Sequence, residues 1–110
     1  MKDYERFEVW RVSHALTLKV YHVTKRFPKD ELFGLTSQMR RAAVSIPANI
    51  AEGCGPDTDA DFKRFLDIAY GSAAEVDYYV LLSRELGSID ASTATDLGAN
   101  LQASAACSPR

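Results

Sequence analysis

The sequence predicts an all-α fold, an up-down-up-down four-helix bundle, and three observations carry that expectation. Apolar and small residues recur at steps of three and four along four stretches, the period of one helical face. No stretch alternates apolar and polar residues between hairpin turns, as a half-buried strand would. Short connections rich in Gly, Pro and Asp separate the stretches, which suits consecutive helices packed side by side. A chain of 110 residues buries one apolar core and is too short for two. The expectation is therefore one domain over residues 1–110, with residues 1–7 as a lead and 105–110 as a disordered tail.

The first stretch runs from Val9 to Phe27, with a stripe at Val9, Trp10, Ser13, Leu16, Val20, Val23 and Phe27, and Pro28 ends it. After "PKDELFG" a second stripe follows at Leu35, Met39, Ala42 with Ala43, Ile46 and Ile50. It stops at Gly53, read as a left-handed cap. "GCGPDTDAD" reads as a loop, and Thr58 with Asp61 three residues later fits a helix opening. The third helix carries Phe62, Phe65, Leu66, Ala69, Ala73, Val76, Val80 and Leu86, and ends at Gly87. It is the longest, roughly 40 Å at 1.5 Å per residue. Asp90 caps a fourth helix whose stripe is only Ala94, Leu97, Leu101 and Ala105, so a short helix that frays beyond about residue 104 is expected.

Composition narrows the classes of function. With 46% hydrophobic and 25% charged residues the chain resembles an ordinary globular protein rather than a disordered one. No apolar run approaches the roughly 20 residues of a membrane span, and "MKDYERFEVW" is charged where a signal peptide is apolar. A cytoplasmic protein without membrane contact is the expectation. Cys54 and Cys107 stand alone, without a CxxC pair or His partners at metal-ligand spacing, so neither disulfide nor metal site is expected. The net charge of −2 hides an asymmetry: residues 1–53 carry nine Lys/Arg against six Asp/Glu, and residues 54–110 four against nine. A chain without excess positive charge lacks an obvious phosphate-neutralising footprint.

Pro47 stands inside the second helix. Its ring removes one backbone hydrogen bond and presses on the carbonyl of Ala43, at a cost of roughly 3 kcal/mol. The freed carbonyl and a kink at Pro47 would make either a ligand pocket or a packing bend, and the bend is the favoured reading. Asn49 is placed to satisfy a freed carbonyl or to face an interface. Val44, Pro47 and Ala51 add a second apolar row, so this helix is apolar on two sides. One side meets the core. The other, with Arg41 and Ala48 beside it, is expected to meet a neighbouring copy, where Ala42, Ala43, Ala48 and Ala51 permit close approach.

Arg40 and Arg41 are the leading candidates for RNA contact, because guanidinium groups bind phosphate in a bidentate fork. Hairpin arithmetic offers an internal partner. With a turn near residue 57, Arg40 stands level with Ala74, and Arg41 beside Glu75 or Asp77. Lys63 and Arg64 lie near a helix start, where the dipole does not favour cations, and are further candidates for an acidic or RNA partner. Asp57, Asp59, Asp61 and Asp67 neutralise part of their field. Tyr70, Tyr78 and Tyr79 would stack on bases or line an interface rim.

No enzyme constellation is legible. His14 and His22 are about 80° apart around the first helix, with no carboxylate placed to orient either. The string Asp57–Asp61 lacks the glycine and terminal Glu of a calcium loop. No phosphate-cradling loop or nucleophile triad is present, so no catalytic residue, cofactor or small-molecule substrate is expected.

The segments "FEVW", "FP", "GLTSQMRRAAVSIPANIAEG", "FKRFLDIAYGSAAE" and "ELG" together resemble a known group over about residues 4 to 90. It is the four-helix-bundle family named for proteins encoded in intervening sequences of bacterial 23S ribosomal RNA genes. The resemblance implies a bundle that forms a homo-oligomer, with a ring-shaped pentamer as the arrangement. It also implies a likeness to accessory variability proteins of diversity-generating retroelements, which work with a reverse transcriptase and its RNA. An oligomeric scaffold or interaction protein is the favoured expectation, and an RNA-associated accessory protein is the alternative.

Overall fold

The computed structural model describes residues 3–55 and 59–106, and among them four α-helices account for nearly everything: α1 (Glu8–Thr24), α2 (Ser37–Gly53), α3 (Asp59–Glu85) and α4 (Ala91–Ala106). The all-α expectation holds, with no strand among the described residues. A short 3-10 turn at Tyr4–Arg6 leads into α1, with Asp3 accepting from the Glu5 N–H. α1 packs on α2 and α4, and α3 packs on the same two, so the helices surround one core in chain order. Contacts between α2 and α3 descend one helix as they climb the other, from Gln38–Tyr79 through Ser45–Ser72 to Gly53–Phe62, the order of an antiparallel pair.

Leu16 and Val20 from α1, Met39, Ile46 and Ile50 from α2, Leu66 and Val76 from α3, and Leu97 and Leu101 from α4 form the core. These are the positions that the three-and-four spacing selected. Ala42 and Ala43 are also buried, so the close approach they permit is within the chain and not, as expected, to a neighbouring copy. Buried Thr17 and Thr24 turn their hydroxyls onto backbone carbonyls one turn back in α1, which lets polar side chains sit inside without an unmet donor.

Boundaries differ from the sequence reading where local hydrogen bonds intervene. α1 stops at Thr24, three residues early, because the N–H groups of Lys25, Arg26 and Phe27 reach back only three residues and tighten the chain before Pro28. α2 is preceded by a π-helical turn at Leu32–Thr36 in place of a plain connection. Gly34 is non-helical there (φ −114°, ψ −111°), and the Glu31 carboxylate accepts the Leu35 N–H. Gly53 is not a left-handed cap. A Cβ on it would lie 2.9 Å from both the Phe62 ring and the Phe65 Cβ, so glycine there serves the close approach of α3.

The left-handed residue is Gly87 (φ 81°), and the bonds Ser88 N–H to Ser83 C=O and Gly87 N–H to Arg84 C=O form a Schellman closure of α3. The expected cap at Thr58 lies outside the described residues. α4 continues to Ala106, beyond its expected end near residue 104 and into the segment read as a disordered tail; residues 107–110 lie outside the described ones.

Asp90 opens α4 as expected, its carboxylate accepting the Thr93 N–H at 2.7 Å. Hydrogen bonds from Thr93 hold its pKa below the ordinary 3.8. A folded-state value below the unfolded one adds stability above the ordinary value, which is lost as the pH falls through the folded value. Asp90→Ala should lower the melting temperature at pH 7, and the gap to the native chain should narrow as the pH drops below 3.8, read by circular-dichroism melts.

Candidate interaction surface

α2 meets α1 on one side and α3 on another, which leaves an outward strip at spacings of three and four: Arg41, Val44, Ala48 and Ala51. Arg41 and Ala48 are exposed, Ala51 is half-buried, and Val44 keeps 39% of its surface. Pro47, assigned to the same face from the sequence, is buried inside the chain and offers no surface to a neighbour. At roughly 100° per residue it falls between the strip and the core face.

The carbonyl that Pro47 frees is not a ligand site. The Thr17 hydroxyl of α1 lies 3.0 Å from the Ala43 oxygen and 2.9 Å from the Ser13 oxygen, and closes the gap from a neighbouring helix. Asn49 does not reach Ala43. Its amide donates to the Ser45 carbonyl at 2.7 Å and to the Ser45 hydroxyl at 2.9 Å, and that hydroxyl is 2.8 Å from Ser72 of α3. Proline and asparagine thus belong to the seams with α1 and α3.

The two arginines separate in role. Arg40 is half-buried, donates from Nε to the Thr24 hydroxyl at 2.8 Å, and stacks its guanidinium 4.8 Å from the centre of the Tyr21 ring. It clasps α1 to α2 through its Nε and the face of its guanidinium. Tyr21 and Thr24 were missed in the sequence, although carrying the hairpin arithmetic across the first connection sets position 40 level with 24.

Arg41 points outward and forms no ion pair among the described residues, so the expected bridge to Glu75 or Asp77 is absent. The level along α3 was right, but the direction around it was not. Glu75 accepts from the Tyr79 hydroxyl at 3.3 Å, while Asp77 lies on the α4 side of α3, beside Gly98 and Gln102. The Tyr79 hydroxyl is also 2.8 Å from Gln38. Desolvation and the Glu75 charge raise its pKa, against a smaller lowering by Arg41.

Lys63 and Arg64 do not join this surface. Lys63 pairs with Asp67 at 3.1 Å, and Arg64 lies 4.4 Å over the Phe65 ring. They stand roughly 20 Å along α3 from the level of Arg41, at 1.5 Å per residue. His14 stacks on Trp10 at 4.8 Å and is exposed, as is His22. Among the described residues no three metal-ligating side chains converge, and no helix is long and apolar enough to cross a membrane.

Among the described residues, the surface therefore offers apolar contact flanked by Arg41, which has no ion-pair partner there, and no set of convergent groups suited to proton transfer or nucleophilic attack. In comparison with known proteins, the family model described as 23S rRNA-intervening sequence protein matches residues 5–106. That match continues through α4, past residue 90 where the motif-based resemblance stops. No curated protein matches the chain.

Proposed function

The chain belongs to the 23S rRNA-intervening sequence protein family, and on that basis we propose that it is a non-enzymatic, self-associating helical-bundle protein of the cytoplasm that acts as an oligomeric scaffold. A pentameric ring is the assembly proposed. The observation that supports this reading is the outward strip of α2. Val44, Ala48 and Ala51 present small and apolar surface next to the exposed Arg41, although both flanks of the helix are already packed. A helix apolar beyond what its own bundle covers is suited to a further helix against it.

Multi-angle light scattering at micromolar concentration tests the reading. The expected mass is near five times the 12.1 kDa of one chain. Val44→Asp should shift it towards the monomer while leaving the helical circular-dichroism signal intact, because Val44 is partly exposed in the single chain. A native chain that runs as a monomer overturns the proposal.

A second reading, an RNA-associated accessory protein that works with ribosomal RNA or with a reverse transcriptase and its RNA, draws on the segregation of charge. α1 and α2 carry four Lys/Arg against two Asp/Glu, so the positive half of the chain occupies one side of the bundle. Binding to structured RNA across a salt series measures it. Affinity that falls steeply with salt and drops on Arg41→Ala supports the reading, and affinity equal to that of a neutral control protein overturns it.

A further inference from the structure

Between α3 and α4 the surface is hollowed. Two adjoining hollows of about 300 and 450 Å³ share Ala74, Asp77 and Gly98 and form one groove. Its origin is the composition of α4, whose Ala, Ser, Thr and Gly residues are too small to cover the flank of α3. A Cβ placed on Gly98 would meet nothing within 4 Å. The rim carries Tyr70, Tyr78 and Leu81, which keep 40%, 56% and 48% of their surface. Large aromatic and aliphatic side chains around a hollow are the composition of an interface core.

The charges on the two sides of the bundle are opposite. Where α1 and α2 carry the positive excess, α3 and α4 carry three Lys/Arg against seven Asp/Glu. Among the described residues, neither Arg41 on the α2 strip nor Asp77 in the groove has an ion-pair partner. Asp77 looks towards α4, away from α2, so the two groups do not satisfy each other in one copy. Arg84 also lines the groove, seven residues further along α3 and roughly 10 Å from the level of Asp77. The complementarity is therefore local: the cation Arg41 on the strip matches the Asp77 part of the groove, and the two lie on different sides of the molecule.

We propose that the groove between α3 and α4 receives the α2 strip of a second copy of this chain, with Arg41 of one copy facing Asp77 of the next. Tyr78 and Leu81 then cover Val44 and Ala48. Two different patches meet, so the contact is head-to-tail: the copy that gives its strip keeps a free groove, and the copy that gives its groove keeps a free strip, to extend or close the assembly. Opposite potentials across the contact select this pairing over strip against strip, which would oppose two Arg41 side chains. The inference rests on the self-association proposed above and adds which faces meet.

Charge reversal tests it, with the dissociation constant of the assembly followed by sedimentation velocity at low and moderate salt. Arg41→Asp and Asp77→Arg should each weaken assembly by about tenfold or more, and the double variant Arg41→Asp/Asp77→Arg should recover most of the loss. Both positions are exposed, so circular dichroism should show the fold unchanged. If the native chain is monomeric, self-association itself fails. If it assembles but Asp77→Arg has no effect, or the double variant is no better than the worse single one, the groove is not the partner of the strip, and self-association stands through other surfaces.

Discussion

Leu97→Ala should lower the stability of the folded chain by about 3 kcal/mol, within the range for truncating a fully buried leucine. Leu97 has no exposed surface, and with Leu101 it supplies the large apolar side chains by which α4 enters the core. The remainder of α4 is mainly Ala, Ser, Thr and Gly, so α4 itself carries few large side chains that could refill the space. The loss should appear in urea unfolding as a lower midpoint. Amide exchange should rise first in α4, because the docking of this helix depends on those two residues. Leu86, 59% exposed at the end of α3, provides the control, and Leu86→Ala should cost less than about 0.5 kcal/mol. Equal costs for the two variants would show that α4 is not held by the core.

Thr17→Val should destabilise the chain by about 2 kcal/mol, because it leaves the Ala43 carbonyl buried without a donor. The cause is specific to Pro47, so the cost should depend on it. Pro47→Ala restores an N–H one turn below Ala43, and in that background Thr17→Val should cost about 1 kcal/mol or less. The contact of Thr17 with the Ser13 carbonyl is lost in both backgrounds and cancels in the double-mutant cycle. Equal costs with and without Pro47 would show that the hydroxyl serves only its own helix.

Thr17 also marks the limit of what the sequence discloses. That Pro47 frees a carbonyl follows from the chemistry of proline. Which group answers it depends on residue 17, far away in the chain, and the nearby Asn49 was the wrong candidate. The core was legible because it repeats with the helical period: Leu16, Val20, Met39, Ile46, Ile50 and Val76 all lie where their spacing sets them. The charged residues were less legible. Their level along a hairpin follows from counting, but the direction around the helix decides the contact, and it sends Asp77 towards α4 and Arg41 outward.

Glycines show the same division. Gly87, where the sequence ends the third stretch, closes α3 in the left-handed geometry. Gly53 reads identically in one dimension, yet its role is to admit Phe62 and Phe65. Close approach is a property of two segments, and neither alone announces it. The groove beside Gly98 is likewise invisible in the string, since it arises where the small residues of α4 meet the wider flank of α3.

By itself the sequence determined the all-α class, the four helical stretches, the residues of the core, the cap at Asp90 and the end of α3 near Gly87, and the family through its central motif. These are local or periodic properties, and a helix of 3.6 residues per turn writes them directly into the order of residues. Only the tertiary structure decided that Pro47 is buried and its neighbour's carbonyl met by Thr17, and that Arg40 is clasped by Thr24 and Tyr21 while Arg41 is left exposed. It also decided that the positive and negative halves of the chain become two sides of one bundle. Hydrogen bonds and ion pairs act over a few ångströms and in a set direction, so they are fixed only once the helices have been brought side by side.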